Sequence, residues 1–421
     1  HVELDAVTGT QYGSLTGATG ASLGADHGNA VTGIILAEDN GIGVQGVAPA
    51  ATLHVSDYSQ KGSETYYANH WANLTNSASS AKAQNNSWGY SNEKLSTVQA
   101  YMSANSADAA TATAAYYTAA GGTSDVASVN AQVTALDNFQ NHGVIVWANS
   151  NSSLNDADLH SGLPVLFPQL KEAWITAVNL NVIGSAGSET YGMYGAQCGQ
   201  AAEFCMGADG SGIKTIGDAN ILWNDGGGTS FSAPQITGAV VLLAQAFPNQ
   251  TPANWRDRLL ASANNALGYT QTGSTTFGNG VIHGYSWEAG HGLLDVYAAL
   301  QPIYTDSAAR GVYAGARNLN GQRFDLIQSG LRGSRSFGDG LTNGVGAISS
   351  YFYDGLNGGF KYDISGHVSQ VVETAKSVDL ENELLALDSP IKDRFELKVK
   401  MSFTGSAVDG TPDNDNQRFI A

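Results

Sequence analysis

Gly226-Gly227-Gly228-Thr229-Ser230-Phe231-Ser232-Ala233-Pro234 joins a glycine run to the long apolar segment 236–247, which reads as a buried helix. Ser230 therefore falls at a tight loop-to-helix junction. There its hydroxyl can stand clear of the backbone, and the helix dipole favours developing negative charge. A proline in the first helical turn is cheap, because its missing N–H would lack a partner there. An ordinary helix cap explains a lone serine in this setting equally well. What decides between the two is the rest of the chain.

Of 421 residues, 42% are hydrophobic and 13% charged, the balance of a globular protein. The length suggests two or three domains. No apolar run reaches the ~18 residues that a membrane-spanning helix needs. The chain opens on His1 with neither a Met nor a signal peptide, and reads as processed or truncated. A net charge of −18 argues against a nucleic-acid partner, which calls for a basic surface, and suits a secreted protein. Residues 1–304 carry 7 Lys and Arg against 22 Asp and Glu, whereas residues 305–421 carry 12 against 15. That shift coincides with a change in texture, so a boundary is expected near residue 304. Cys198 and Cys205 are the two cysteines. Their even count and short spacing favour a disulfide, with two free buried thiols as the alternative. A metal site is disfavoured, since no second Cys or His pair lies nearby.

Asp26-His27-Gly28 leads into an apolar run at helical spacing, which puts His27 before or within the first turn of a helix. Residues 51–55 read as a short buried strand with His54 as a core histidine, and residues 84–89 close another strand. The Ala-, Ser- and Thr-rich stretch 103–129 reads as a partly helical insertion without chemistry. A helix over 129–140 feeds the apolar strand 143–148, whose polar exit is Asn149-Ser150-Asn151. Thr251-Pro252 caps a helix over 253–263, and residues 292–300 read as a last amphipathic helix. Strands alternating with helices imply an α/β fold, a parallel sheet with helices on both faces and catalytic loops at the carboxyl ends of its strands. After residue 304 the alternation in Arg394–Phe403 and the turns at 337–340 and 354–358 point to a smaller β-rich region.

Acyl transfer from an amide needs a nucleophile, a base, a group orienting that base, and donors for the oxyanion. His27-Gly28-x-x-Val31-x-Gly33, Gly46-Val47-Ala48-Pro49, Asn85-x-Ser87-x-Gly89 and Gly228-Thr229-Ser230-x-Ser232-Ala233-Pro234 occur in one order. Taken together they resemble the subtilisin-like serine proteases over most of residues 1–304. The resemblance implies Ser230 as nucleophile, His27 as general base and acid, and Asn151 as oxyanion donor, with Asn149 as the alternative. It implies that Ser87, Trp88 and Gly89 bind the substrate, Trp88 near the pocket for the side chain before the cut. The family's Ala-Ala-Gly ahead of the oxyanion asparagine is replaced here by Ala148-Asn149-Ser150.

The family's triad aspartate is not found. His1-Val2-Glu3-Leu4 resembles the piece that follows it, so the acid is expected shortly upstream of His1; Asp5 and Asp26 are poor substitutes. The Cys198–Cys205 loop and Ser329–Gly340 resemble features of autotransporter passenger subtilases, where such a stretch links protease to barrel. The chain is therefore expected to be a secreted or surface endopeptidase in residues 1–304 with a β-rich linker or accessory region in 305–421. Its expected partners are protein or peptide substrates and its own cleaved N-terminal segment or propeptide. No cofactor is required, and calcium, common in that family, is a candidate structural ion without a local carboxylate cluster. Two rivals stand beside this. One is an impaired subtilase-fold protein acting as a binding or assembly module. The other, weaker one is an esterase or lipase, disfavoured because Ser230 lies in Gly-Thr-Ser-x-Ser and lacks the Gly-x-Ser-x-Gly elbow.

Overall fold

Strand Val144–Ala148 runs fully buried through the middle of the protein and turns its side chains alternately to two separate cores. The computed structural model describes residues 9–12, 23–90, 92, 94–184, 189–217, 222–303, 332–333, 349–363, 369–370, 374–376 and 403–405. In chain order these form β1 (Gly9–Tyr12), α1 (Leu23–Leu36), β2 (Leu53–Ser56), α2 (Tyr67–Ser77), β3 (Ala83–Asn86), α3 (Leu95–Asn105), α4 (Ala109–Ala119) and α5 (Val126–Phe139). There follow β4 (Val144–Ala148), α6 (Leu163–Leu166), β5 (Trp174–Ile183), β6 (Thr190–Tyr194), β7 (Cys205–Ala208), β8 (Ile213–Ile216) and β9 (Leu222–Gly226). The long helix α7 (Thr229–Ala246) leads to α8 (Pro252–Ser262), β10 (Gln271–Thr276), β11 (Ile282–Ser286) and α9 (Val296–Leu300).

β3, β4, β5 and β7 pair in parallel, and β6 adds antiparallel to the far half of β5. β1 and β2 form a second parallel piece. On one face Val144, Val146, Ile175 and Met206 pack against Ile236, Val240, Leu243 and Leu259 of α7 and α8. On the other, Ile145, Trp147 and Trp174 pack against Trp71, Tyr117, Val133 and Leu136 of α2, α4 and α5. Helices thus cover both faces, the arrangement a largely parallel sheet requires.

Local chemistry sets the helix starts. Asp125 and Ser128 form a reciprocal capping box at α5, so this helix begins three residues ahead of the start that its apolar spacing suggests. Asp108 caps α4, and Thr251 caps α8 with Pro252 in its first turn. The stretch expected to be an insertion holds the whole of α4, whose Ala110, Ala112, Ala114 and Tyr117 belong to the core. Of residues 292–300, only Val296–Leu300 is helical, because Leu293 is held in extended bridges to Gly207 and Asn264.

The hairpin of Ser349–Tyr353 and Gly359–Asp363 closes through the turn expected at 354–358 and docks on α8. Asp354 and Arg258 form a fully buried ion pair at 2.7 Å, and Leu356 joins the core. Short pairings also join Arg332–Gly333 to Ser369–Gln370 and Thr374–Lys376 to Phe403–Gly405. The alternating stretch 394–403, apart from Phe403, and the turn at 337–340 lie outside the described residues. Among the described residues, no helix is long and apolar enough to cross a membrane.

Candidate active site

α7 begins at Thr229 because Gly228 holds φ +131° and ψ 169°, a conformation that turns the chain sharply out of β9. Ser230 is the second residue of this 18-residue helix, among the first-turn N–H groups that have no intrahelical partner. Pro234 is the sixth residue of α7, beyond the first turn expected for it, and so it does remove a helical hydrogen bond. The carbonyl that loses its donor is that of Ser230, four residues earlier. Ser87 Oγ replaces the missing donor at 3.0 Å, and Ser230 Oγ in turn donates to the Ser87 carbonyl at 3.4 Å. Thr237 and Asn85 brace Ser87 from below: Thr237 Oγ1 donates to Asn85 Oδ1 at 3.0 Å and Asn85 Nδ2 to Ser87 Oγ at 2.9 Å. The nucleophile candidate and the Ser87-Trp88-Gly89 segment are therefore one hydrogen-bonded unit.

His27 is the fifth residue of α1, which starts at Leu23. α1 lies against α7 through Ala30, Ile34 and Phe231, and Thr215 Oγ1 donates to the Ala30 carbonyl at 2.8 Å. This packing puts the His27 ring edge-on to Phe231, centroids 6.1 Å apart, next to Ser230 in the chain. Burial lowers the His27 pKa below its ordinary 6.5, so the ring is neutral at neutral pH and able to accept a proton.

The two asparagines of the β4 exit loop play different parts. Asn149 is buried with its amide fully engaged: Nδ2 donates to the Gln197 carbonyl at 2.9 Å, and Oδ1 accepts from Ser150 N, Asp158 N and Ser161 Oγ. Asn151 is exposed, and its Oδ1 accepts from Thr229 N at 2.9 Å and Thr229 Oγ1 at 3.1 Å. Those bonds fix the amide and leave Nδ2 as its donor. A Cβ on Gly228 would stand 2.8 Å from Asn151 Oδ1, so glycine is needed there for space as well as for φ.

His27, Asn151, Ser230, Ser87 and Trp88 all line one cavity. Trp88 stacks on Tyr58 at 4.8 Å and packs against Trp71 and Trp147. Gly89 faces the buried Asp158 and His160. Cys198 and Cys205 are joined as a disulfide with Cα atoms 5.9 Å apart, both fully buried. The chain just before this loop supports the asparagine segment, since Ala196 N donates to the Ser150 carbonyl at 2.9 Å. Asp26 lies in α1 with its side chain outside the described residues; Asp5 and His1–Leu4 lie outside them altogether. Among the described residues, no group of three or more His, Cys, Asp and Glu gathers as a metal site.

Thr229, Pro234 and Phe231 are the site residues whose parts the motifs do not announce. The only linear signal is the offset of four between Ser230 and Pro234.

The subtilase-family profile matches residues 9–280. Fervidolysin of Fervidobacterium pennivorans is 26% identical over 306 residues, 68% of this chain and 36% of fervidolysin. Serotype-specific antigen 1 of Mannheimia haemolytica is 30% identical over 126 residues, 28% of this chain and 13% of the antigen. The chain thus spans well under two thirds of these curated relatives. Among solved structures, the prenylagaramide maturation protease PagA superposes with a TM-score of 0.47 at 15% identity, over 71% of this chain and 88% of its own. The fervidolysin structure gives a TM-score of 0.44 at 20% identity, over 71% of this chain and 39% of its own. With a profile match running from β1 past β10 and taking in His27, Asn151 and Ser230, this chain belongs to the subtilase family of serine peptidases.

Proposed function

We propose that this chain is a serine endopeptidase that cleaves peptide bonds through an acyl-enzyme on Ser230. The observation that carries this is that Ser230, in the first turn of α7, lines one cavity with His27, whose ring packs edge-on to Phe231, and with the pinned amide of Asn151. Ser230 Oγ attacks the scissile carbonyl carbon and its proton passes to His27. The resulting oxyanion is met by Asn151 Nδ2 and by the backbone N–H of Ser230 in the first turn of α7. His27 then gives its proton to the leaving amine, and water, deprotonated by the same ring, releases the acyl group. Ser87-Trp88-Gly89 lies along the substrate backbone, and the stacked Tyr58 and Trp88 favour an apolar or aromatic residue before the cut. The buried disulfide and the antigen among the relatives support a secreted or cell-surface location.

The test is turnover of fluorogenic peptides against short-chain esters by the chain and by Ser230→Ala. Peptide cleavage lost in Ser230→Ala supports the proposal. Saturable peptide binding with no cleavage by either protein would make the chain a binding module and overturn it.

A further inference from the structure

Asn151 stands exposed on the loop that leaves β4, so its amide keeps one position only if the loop itself is held. Thr229 holds the side chain from α7. The backbone around it is held by one short stretch, Gly195-Ala196-Gln197-Cys198, which grips the loop on both sides of Asn151. Ahead of it, Asn149 Nδ2 donates to the Gln197 carbonyl and Ala196 N to the Ser150 carbonyl, each at 2.9 Å. Beyond it, Gln197 N donates to the Leu154 carbonyl at 2.9 Å. Gly195 closes the contact. It holds φ +98°, and a Cβ on it would stand 2.6 Å from the Ser150 carbonyl oxygen, 3.3 Å from Asn151 Cα and 3.5 Å from Thr229 Cγ2. The stretch therefore packs at one point against the oxyanion donor and the residue before the nucleophile. Its far end is anchored covalently. Cys198 is bonded to Cys205, the first residue of β7, which pairs with β5 as β5 does with β4. A closed frame results, running from β4 through the loop, the stretch and the disulfide to β7 and back across the sheet.

We propose that Gly195, Ala196 and Gln197, anchored by the Cys198–Cys205 disulfide, are a clamp that positions the Asn151 amide for the oxyanion. Both cysteines are fully buried and touch no substrate, so the disulfide acts only through the loop it holds. Asn149, where the family pattern has alanine, supplies the first grip and belongs to the same device. An oxyanion donor is worth about 10²–10³ in kcat, and a displacement of about 1 Å can cost 10²-fold. The clamp's contribution is thus bounded above by that of Asn151 itself. The catalytic consequence rests on the role proposed above for Asn151, whereas the grip on the loop rests on the hydrogen bonds and the glycine contact alone.

The test measures kcat and KM for peptide cleavage by Gly195→Ala and by the paired Cys198→Ser, Cys205→Ser change, each made with and without Asn151→Ala. Each is expected to lower kcat by about 10- to 10³-fold with little change in KM. In the Asn151→Ala background each should lower kcat by less than about twofold, since the donor it holds is gone. Circular dichroism at the assay temperature checks that the variants are folded. The side-chain amide resonance of Asn151, assigned by its loss in Asn151→Ala, reads the clamp without turnover and is expected to shift or broaden in both variants. Unchanged kcat in either variant that folds, or the same loss with and without Asn151, overturns the clamp. Unfolding of both also overturns it, making the stretch an element of stability only. If the wild-type chain neither cleaves peptide nor reacts with a fluorophosphonate at Ser230, the peptidase proposal fails instead, and the Asn151 resonance still decides the clamp by moving or staying.

Discussion

Asn151 Oδ1 accepts hydrogen bonds from both the backbone N–H and the hydroxyl of Thr229, the residue immediately before Ser230. One side chain therefore ties the β4 exit loop to the start of α7 and leaves its amide nitrogen as the free donor. Asn151→Ala is predicted to lower kcat by about 10²–10³ with little change in KM. Asn149→Ala should do the reverse: it strands the buried partners of Asn149 and costs about 1–3 kcal/mol of stability. Steady-state kinetics and urea unfolding of the two variants separate these outcomes.

Ser87 supplies the bond that Pro234 denies to the Ser230 carbonyl. Ser87→Ala is predicted to destabilise by about 1–3 kcal/mol by leaving that carbonyl without a donor. Pro234→Ala restores a helical N–H to it. In the Ser87→Ala background this second change should recover part of the loss, a coupling that a double-mutant cycle of unfolding free energies measures.

His160 is buried among Trp71, Trp88, Tyr117 and Trp147, with neither ring nitrogen hydrogen-bonded among the described residues. Burial pushes its pKa down from 6.5 to about 3. Between those values the unfolded chain binds a proton at this ring that the folded chain does not. Stability therefore rises with pH through the window, is complete above 6.5, and is lost as pH falls towards 3. Burial of Asp158 works in the opposite sense, raising its pKa from 3.8 to about 7, so its contribution falls as pH rises through that range. His160→Phe keeps a ring in place and is predicted to lower the slope of unfolding free energy against pH between about 4 and 6 by close to one proton equivalent, leaving the opposite contribution of Asp158 in place.

Arg258 and Asp354 pair with both side chains fully buried, joining α8 to a hairpin more than ninety positions away in sequence. Asp354→Asn leaves the guanidinium uncompensated and should cost about 3–5 kcal/mol. Truncation after residue 304 is predicted to destabilise the 1–304 region as well, because Leu356 and Phe360 leave its core. Thermal unfolding of both variants checks this.

The fold class was legible because the alternation of apolar strands with helical runs survives in the sequence, and β4 reads directly as a buried strand. His27, Asn151 and Ser230 could be singled out because each sits in a short motif at a strand or helix end, and all three line one cavity. What could not be read is how distant residues complete one another. Thr229 holds Asn151, and Ser87 serves Ser230, over separations of 78 and 143 residues. Helix limits moved for local reasons, the capping box of α5 and the bridged Leu293 before α9. The Arg258–Asp354 pair was invisible because neither residue carries a motif.

The most direct test of the proposed chemistry is the site of covalent modification. Incubated with a fluorophosphonate and digested, the chain is predicted to carry a single phosphonyl adduct on Ser230, absent in Ser230→Ala and strongly slowed in His27→Ala. An adduct on another serine, or equal reaction with and without His27, would contradict the account.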